Sequence, residues 1–100
     1  MKKTTGKKIH SVLVDDLQHC IVTGSPEVAM HHVFNGPCRS LSDRYGFIVP
    51  LRPDWHNMTL YSVHMNQEFD EHLKRQAQEY YEAYIGTREQ FIAEFGKSYL

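Results

Sequence analysis

The sequence predicts a small α+β domain, and three observations carry that reading. Short β-rich runs bounded by turn-forming clusters occupy the first half of the chain. A middle stretch, 52–66, has no clean hydrophobic period. From about Asn66 onward, apolar residues recur at intervals of three and four, the spacing of one helical face. Strands first and helices last is the order of an α+β fold.

In chain order, "SVLV" (11–14) is expected as a short strand or a lead-in segment. "CIVT" (20–23) and "VAMHHVF" (28–34) flank the turn cluster Gly24-Ser25-Pro26-Glu27 and are expected to form a β-hairpin. "NGPCRSLSDR" (35–44) is polar, carries Gly36 and Pro37, and reads as a loop. "YGFIVPL" (45–51) reads as a further strand, closed by Pro50 and Pro53. The segment 52–66 is expected as an irregular loop or a short helical turn. Phe69, Leu73, Ala77, Tyr80 or Tyr81, and Tyr84 then form the inward stripe of a helix that Gly86 stops. Thr87 and Gln90 have the spacing of a capping box. They open a second, shorter helix that turns Phe91, Ile92 and Phe95 inward and ends at Gly96.

One hundred residues with 41% hydrophobic and 12% aromatic side chains suit a single domain, 1–100, with a modest core. Residues 1–10 are expected to be a flexible basic tail. No apolar run reaches the roughly 18 residues of a transmembrane helix, and no apolar segment follows the basic start as in a signal peptide. A cytoplasmic location, in the host cell if the chain is phage-encoded, and no membrane partner are the expectation. Two cysteines, Cys20 and Cys38, provide no disulfide framework. Residues 1–52 carry seven Lys/Arg against four acids, and residues 53–100 four against eight. A basic half joined to an acidic half suits a phosphate-facing surface on one side only.

Seven histidines stand out. His10, His19 and His72 read as ordinary hydrogen-bonded histidines. His31 and His32 are adjacent on an expected strand, so their rings start on opposite faces. His56 and His64 follow the next strand. Imidazole is a common transition-metal ligand and a proton acceptor near neutral pH, so three of these rings could hold one cation while the fourth acts on a water. Both histidines of the pair can serve one site only if the strand breaks near Phe34-Asn35-Gly36.

"CIVTGSPEVAMHHVFNG", "RYGFIVPLRPDWHN" and "VHMN", followed by the ending Phe95-Gly96-Lys97-Ser98-Tyr99-Leu100, resemble small phage-type nucleases of the HNH, or His-Me finger, superfamily. The resemblance runs over about residues 17–100. It implies a ββα-metal core with a β-hairpin followed by C-terminal helices, and a metal-dependent endonuclease that hydrolyses phosphodiester bonds in DNA. By position, His32 resembles the general base and His31 a metal ligand. His56 corresponds to a second ligand, and His64 to a third or to a contact with the scissile phosphate. Asn57 and Asn66 would support ligating imidazoles, and Arg39 and Arg44 would meet phosphate.

The implied cofactor is a divalent metal ion; a His-rich set favours Mn, Ni or Zn over Mg, which prefers oxygen. Relatives commonly carry a zinc knuckle, whose four positions fall here on Cys20, Thr23, Arg52 and Trp55. One thiol cannot hold a zinc that needs four ligands, so no structural zinc is expected, and Trp55 with apolar neighbours is expected to fill the space. The competing expectation is a non-catalytic nucleic-acid-binding or partner-binding module on the same fold, and a third is a histidine-rich structural domain that binds metal incidentally. A homodimer through Tyr80, Tyr81 and Tyr84, or a phage or host protein partner, is also an expectation.

Overall fold

The computed structural model describes residues 9–58 and 66–100, apart from the side chains of Asn57 and Met58. The expected basic tail therefore lies almost wholly outside the described residues. Two short strands, β1 (Ala29–His32) and β2 (Ile48–Leu51), pair antiparallel, with Ala29 opposite Leu51 and His32 opposite Ile48. Between them lie a 3₁₀ turn, Gly36–Cys38, and helix α1, Arg39–Tyr45. After β2 comes a π-helical turn, Asp54–Met58, then α2 (Gln67–Tyr84) and α3 (Arg88–Phe95). The α+β class holds. No described helix is long and apolar enough to cross a membrane.

The partner of β1 differs from the expectation. "CIVT" forms a tight turn instead of a strand, closed by Cys20 N–H to Ser25 O (2.8 Å) and Gly24 N–H to Cys20 O (2.9 Å). Ser25 and Gly24 thus take up the Cys20 backbone groups that a hairpin partner would have used. The turn is fixed instead to the outer edge of β2, where Ile21 N–H donates to Pro50 O (3.1 Å). "SVLV" is the lead-in segment and lies along the same edge. Val12 N–H donates to Gly46 O (2.9 Å), and Ser11 Oγ donates to Ile48 O (2.6 Å).

The polar run 35–44 is also more ordered than its composition suggests. Pro37 sits in the 3₁₀ turn, and α1 continues from it. Ser42 faces inward and is fully buried, hydrogen-bonded in both directions to the backbone of Phe34. Gly46 then ends α1 with φ +77°, a conformation that costs an L-residue about 1–2 kcal/mol. A Cβ there would also lie 2.8 Å from His10 Nε2. The left-handed φ is what calls for glycine here.

The two terminal helices follow the expected spacing with three exceptions. Leu73, Ala77 and Tyr81 of α2 are buried, and Asn66 caps it by accepting from Phe69 N–H (3.1 Å). Tyr84 lies off the stripe at 76% exposed, stacked on Tyr80 (4.8 Å). In α3 both capping-box bonds form, and Phe91 and Phe95 are buried, but Ile92 points outward. Ile92 is one residue on from Phe91, about 100° around the helix, and so falls off the face that Phe91 and Phe95 share at i, i+4. Gly86 follows the helix stop without a left-handed φ. Its role is close approach, because a Cβ there would run into the Gln90 side chain.

Phe34 joins the layers: its ring meets Phe95 (4.5 Å), Phe91 (5.9 Å), Phe47 (6.0 Å) and Tyr99 (5.8 Å). Tyr99 is brought there by buried Gln78, whose Oε1 accepts from Tyr99 N–H (2.7 Å) and whose Nε2 donates to Ser98 Oγ (3.0 Å). Glu94 of α3 accepts from Tyr45 Oη (2.7 and 2.8 Å) and Tyr81 Oη (3.1 Å), tying together α1, α2 and α3.

Burial first, and the Glu94 carboxylate second, push the Tyr81 phenol up from 10 to about 12; Tyr45 moves the same way. A pKa raised on folding stabilises the fold while the group is protonated. That contribution is complete below pH 10 and is lost as pH rises through about 12. Chemical denaturation across this range should show stability falling, and Tyr81→Phe should flatten the fall.

Candidate functional site

Antiparallel pairing places His31 opposite Val49 and His32 opposite Ile48. Successive strand residues point to opposite faces, so the two rings diverge from one point of the backbone. His31 shares the core face with Val49 and is 1% exposed. Its ring meets that of His56 edge to face, with centroids 5.3 Å apart.

His56 reaches that position because the chain coils tightly as it leaves β2. Arg52 O accepts both Trp55 N–H (2.8 Å) and His56 N–H (3.0 Å). The Arg52 guanidinium grips the Asp54 carboxylate with two bonds, at 2.6 and 2.7 Å. Trp55 packs edge-on against Phe69 of α2 (5.9 Å), which seats the turn on the core.

His32 faces the other way and is 8% exposed. Its Nε2 lies 2.8 Å from Asp43 Oδ1, a carboxylate carried by α1. The strand ends at His32. Val33 N–H still reaches Phe47 O (2.9 Å), and then Ser42 takes over both backbone groups of Phe34. The strand thus stops two residues before Phe34-Asn35-Gly36 begins, and a helix residue instead of a bulge takes up the Phe34 backbone.

The remaining expected residues separate into groups. Arg39 is exposed and stands one helical turn before Asp43, on the same side of α1. Arg44 lies on another side, its guanidinium 5.9 Å from the Tyr45 ring. Asn66 spends its side-chain oxygen on the α2 cap. His64 lies outside the described residues, as does the Asn57 side chain. Of the other histidines, His19 pairs with Asp16 (2.7 Å) on the exposed surface. Asp43 and Ser42 were missing from the expectations, because nothing in a polar heptad marks which of its residues a helix will turn inward.

The four knuckle positions are gathered in part. Cys20 is buried in the core cluster, with Trp55 packed against that cluster. Burial raises the Cys20 thiol, but hydrogen bonds from the Thr23 side chain and from backbone N–H groups of Arg52, Thr23 and Val22 outweigh it, and the net direction is down.

Among the described residues, no three His, Cys, Asp or Glu side chains gather into a group that could hold a metal ion. His31 and His56 supply two. Both are imidazoles, buried or half-buried and in edge-to-face contact, which fits a share of a borderline transition-metal ion better than a hard, oxygen-seeking one.

The chain matches no family model, no curated protein and no solved structure. The reading therefore rests on the geometry above and on the residues themselves.

Ser42→Ala would leave the buried N–H and C=O of Phe34 without their partner. A cost of about 1–3 kcal/mol per orphaned group is expected, measurable by chemical denaturation. Ser42→Thr should cost less if the hydroxyl can keep both bonds.

Proposed function

We infer that the chain is a metal-dependent endonuclease that hydrolyses phosphodiester bonds in DNA. The observation that carries the reading is that β1 ends at the histidine pair, with one imidazole beside His56 and the other on a carboxylate. His31 goes to His56, and His32 goes to a carboxylate on α1. The order β1, β2, α2, with a His-bearing turn before the helix, is compatible with the ββα-metal core that the sequence resembles.

In this reading His32 is the general base. The ring accepts a proton from a water as that water's oxygen forms a bond to phosphorus. The bond from phosphorus to the leaving oxygen then breaks, and that oxygen takes its proton from solvent. His31 and His56 would hold a divalent transition metal, with His64 as the third donor by sequence position. Such an ion supplies positive charge against the phosphate and the departing oxygen. Arg39, exposed on the Asp43 side of α1, would pair with a phosphate oxygen in the two-pronged manner a guanidinium favours.

Plasmid nicking tests this. Cleavage is expected with Mn²⁺ and is expected to vanish with EDTA. His32→Ala should lower the rate by about 10²–10⁴-fold, the range of a positioned base. His56→Ala should lower the metal bound per chain. No metal-dependent cleavage, with DNA binding intact, would favour the non-catalytic nucleic-acid-binding module.

A further inference from the structure

We propose that Asp43 is a positioning residue that commits His32 to a single tautomer, leaving Nδ1 as the nitrogen that accepts the proton. This rests on the endonuclease reading for its catalytic meaning, but its geometric content stands alone.

Three observations carry it. Asp43 Oδ1 lies 2.8 Å from His32 Nε2, within the range of a strong hydrogen bond. An ionised carboxylate only accepts, so the ring must donate there, and a neutral imidazole has one proton to give. That proton sits on Nε2. No described residue hydrogen-bonds Nδ1, and Nδ1 is not among the fully enclosed polar atoms. The second nitrogen is thus open and carries a lone pair.

The platform behind the carboxylate is bonded on both sides. Asp43 immediately follows Ser42, which is fully buried and bonded both ways to Phe34, two residues beyond His32. The histidine and its carboxylate therefore belong to one closed loop of chain, with the Phe34 ring in the core as its anchor. A carboxylate held this way does two things. It fixes the ring's rotation, and it stabilises the imidazolium that forms when Nδ1 takes the water's proton. The Nε2–H stays on Asp43 throughout.

The partition of the two histidines follows. His31 lies on the opposite face of β1 and cannot reach Asp43 without reversing the strand. The carboxylate thus marks which of two adjacent, chemically identical side chains is the base.

The test uses the full chain, metal-free, with ¹⁵N-labelled histidine in alkaline buffer. The expected His32 pattern is a protonated Nε2 and an unprotonated Nδ1. Asp43→Ala should move both shifts toward the averaged values of a ring free to exchange tautomers, and Asp43→Glu should restore part of the difference. Asp43 is one-third exposed, so its truncation leaves little void, and a thermal melt of each variant checks the fold. In the nicking assay, Asp43→Ala should lower kcat by about tenfold to a hundredfold with KM little changed, the range seen when a partner that orients a functional imidazole is lost. A wild-type ring protonated on Nδ1, or shifts that ignore Asp43→Ala, overturns the proposal. So does an altered tautomer with unchanged kcat, which would make Asp43 purely structural. Absence of cleavage by the wild type removes the nuclease reading, while the ¹⁵N result still decides whether Asp43 holds the ring.

Discussion

The antiparallel register of β1 on β2 is the constraint on which the rest depends. With His31 set against Val49 and His32 against Ile48, the two imidazoles must leave the backbone on opposite sides. A slip of one residue would exchange their environments, sending His32 into the core and His31 toward α1. The register is held just beyond the C-terminal end of β1. Val33 N–H to Phe47 O extends the pairing past β1, and the Phe34 ring is locked among aromatic residues of α3 and the C-terminal segment.

The helices act chiefly as a wall for that short ribbon. Four residues per strand bury too little surface to stand alone, and a two-stranded pairing is marginal in water. The Glu94 carboxylate, bridging two tyrosines from α1 and α2, is what makes the wall continuous. It ties α1, which carries the carboxylate that meets His32, to α2 and α3.

How much of this was legible in the sequence follows from how local each signal was. The α3 cap could be read from Thr87 and Gln90, since both bonds close within four residues. Leu73, Ala77 and Tyr81 could be read from helical spacing, because α2 is long enough for its period to show. The partner of β1 could not. "CIVT" has the composition of a strand, yet Gly24 and Ser25 turn its hydrogen bonds back on itself. Helix α1 was hidden for a related reason. Its seven residues show no apolar stripe, and its one fully buried member is a serine satisfied by tertiary contact. At the site, the histidine pair and His56 were visible as residue types. The Asp43 contact depends on a helix that only the fold reveals.

The outer edge of β2 has a further meaning. A two-stranded ribbon leaves bare backbone on which a foreign strand could lay itself. Here Pro50 offers no N–H at all, its carbonyl is taken by Ile21, and the carbonyl of Ile48 is taken by Ser11. The lead-in segment and the Cys20 turn thus act as a selvedge, finishing the one side of β2 that β1 does not cover. The chain's own irregular backbone, without forming a third strand, occupies carbonyls on this edge that pairing with a foreign strand would use.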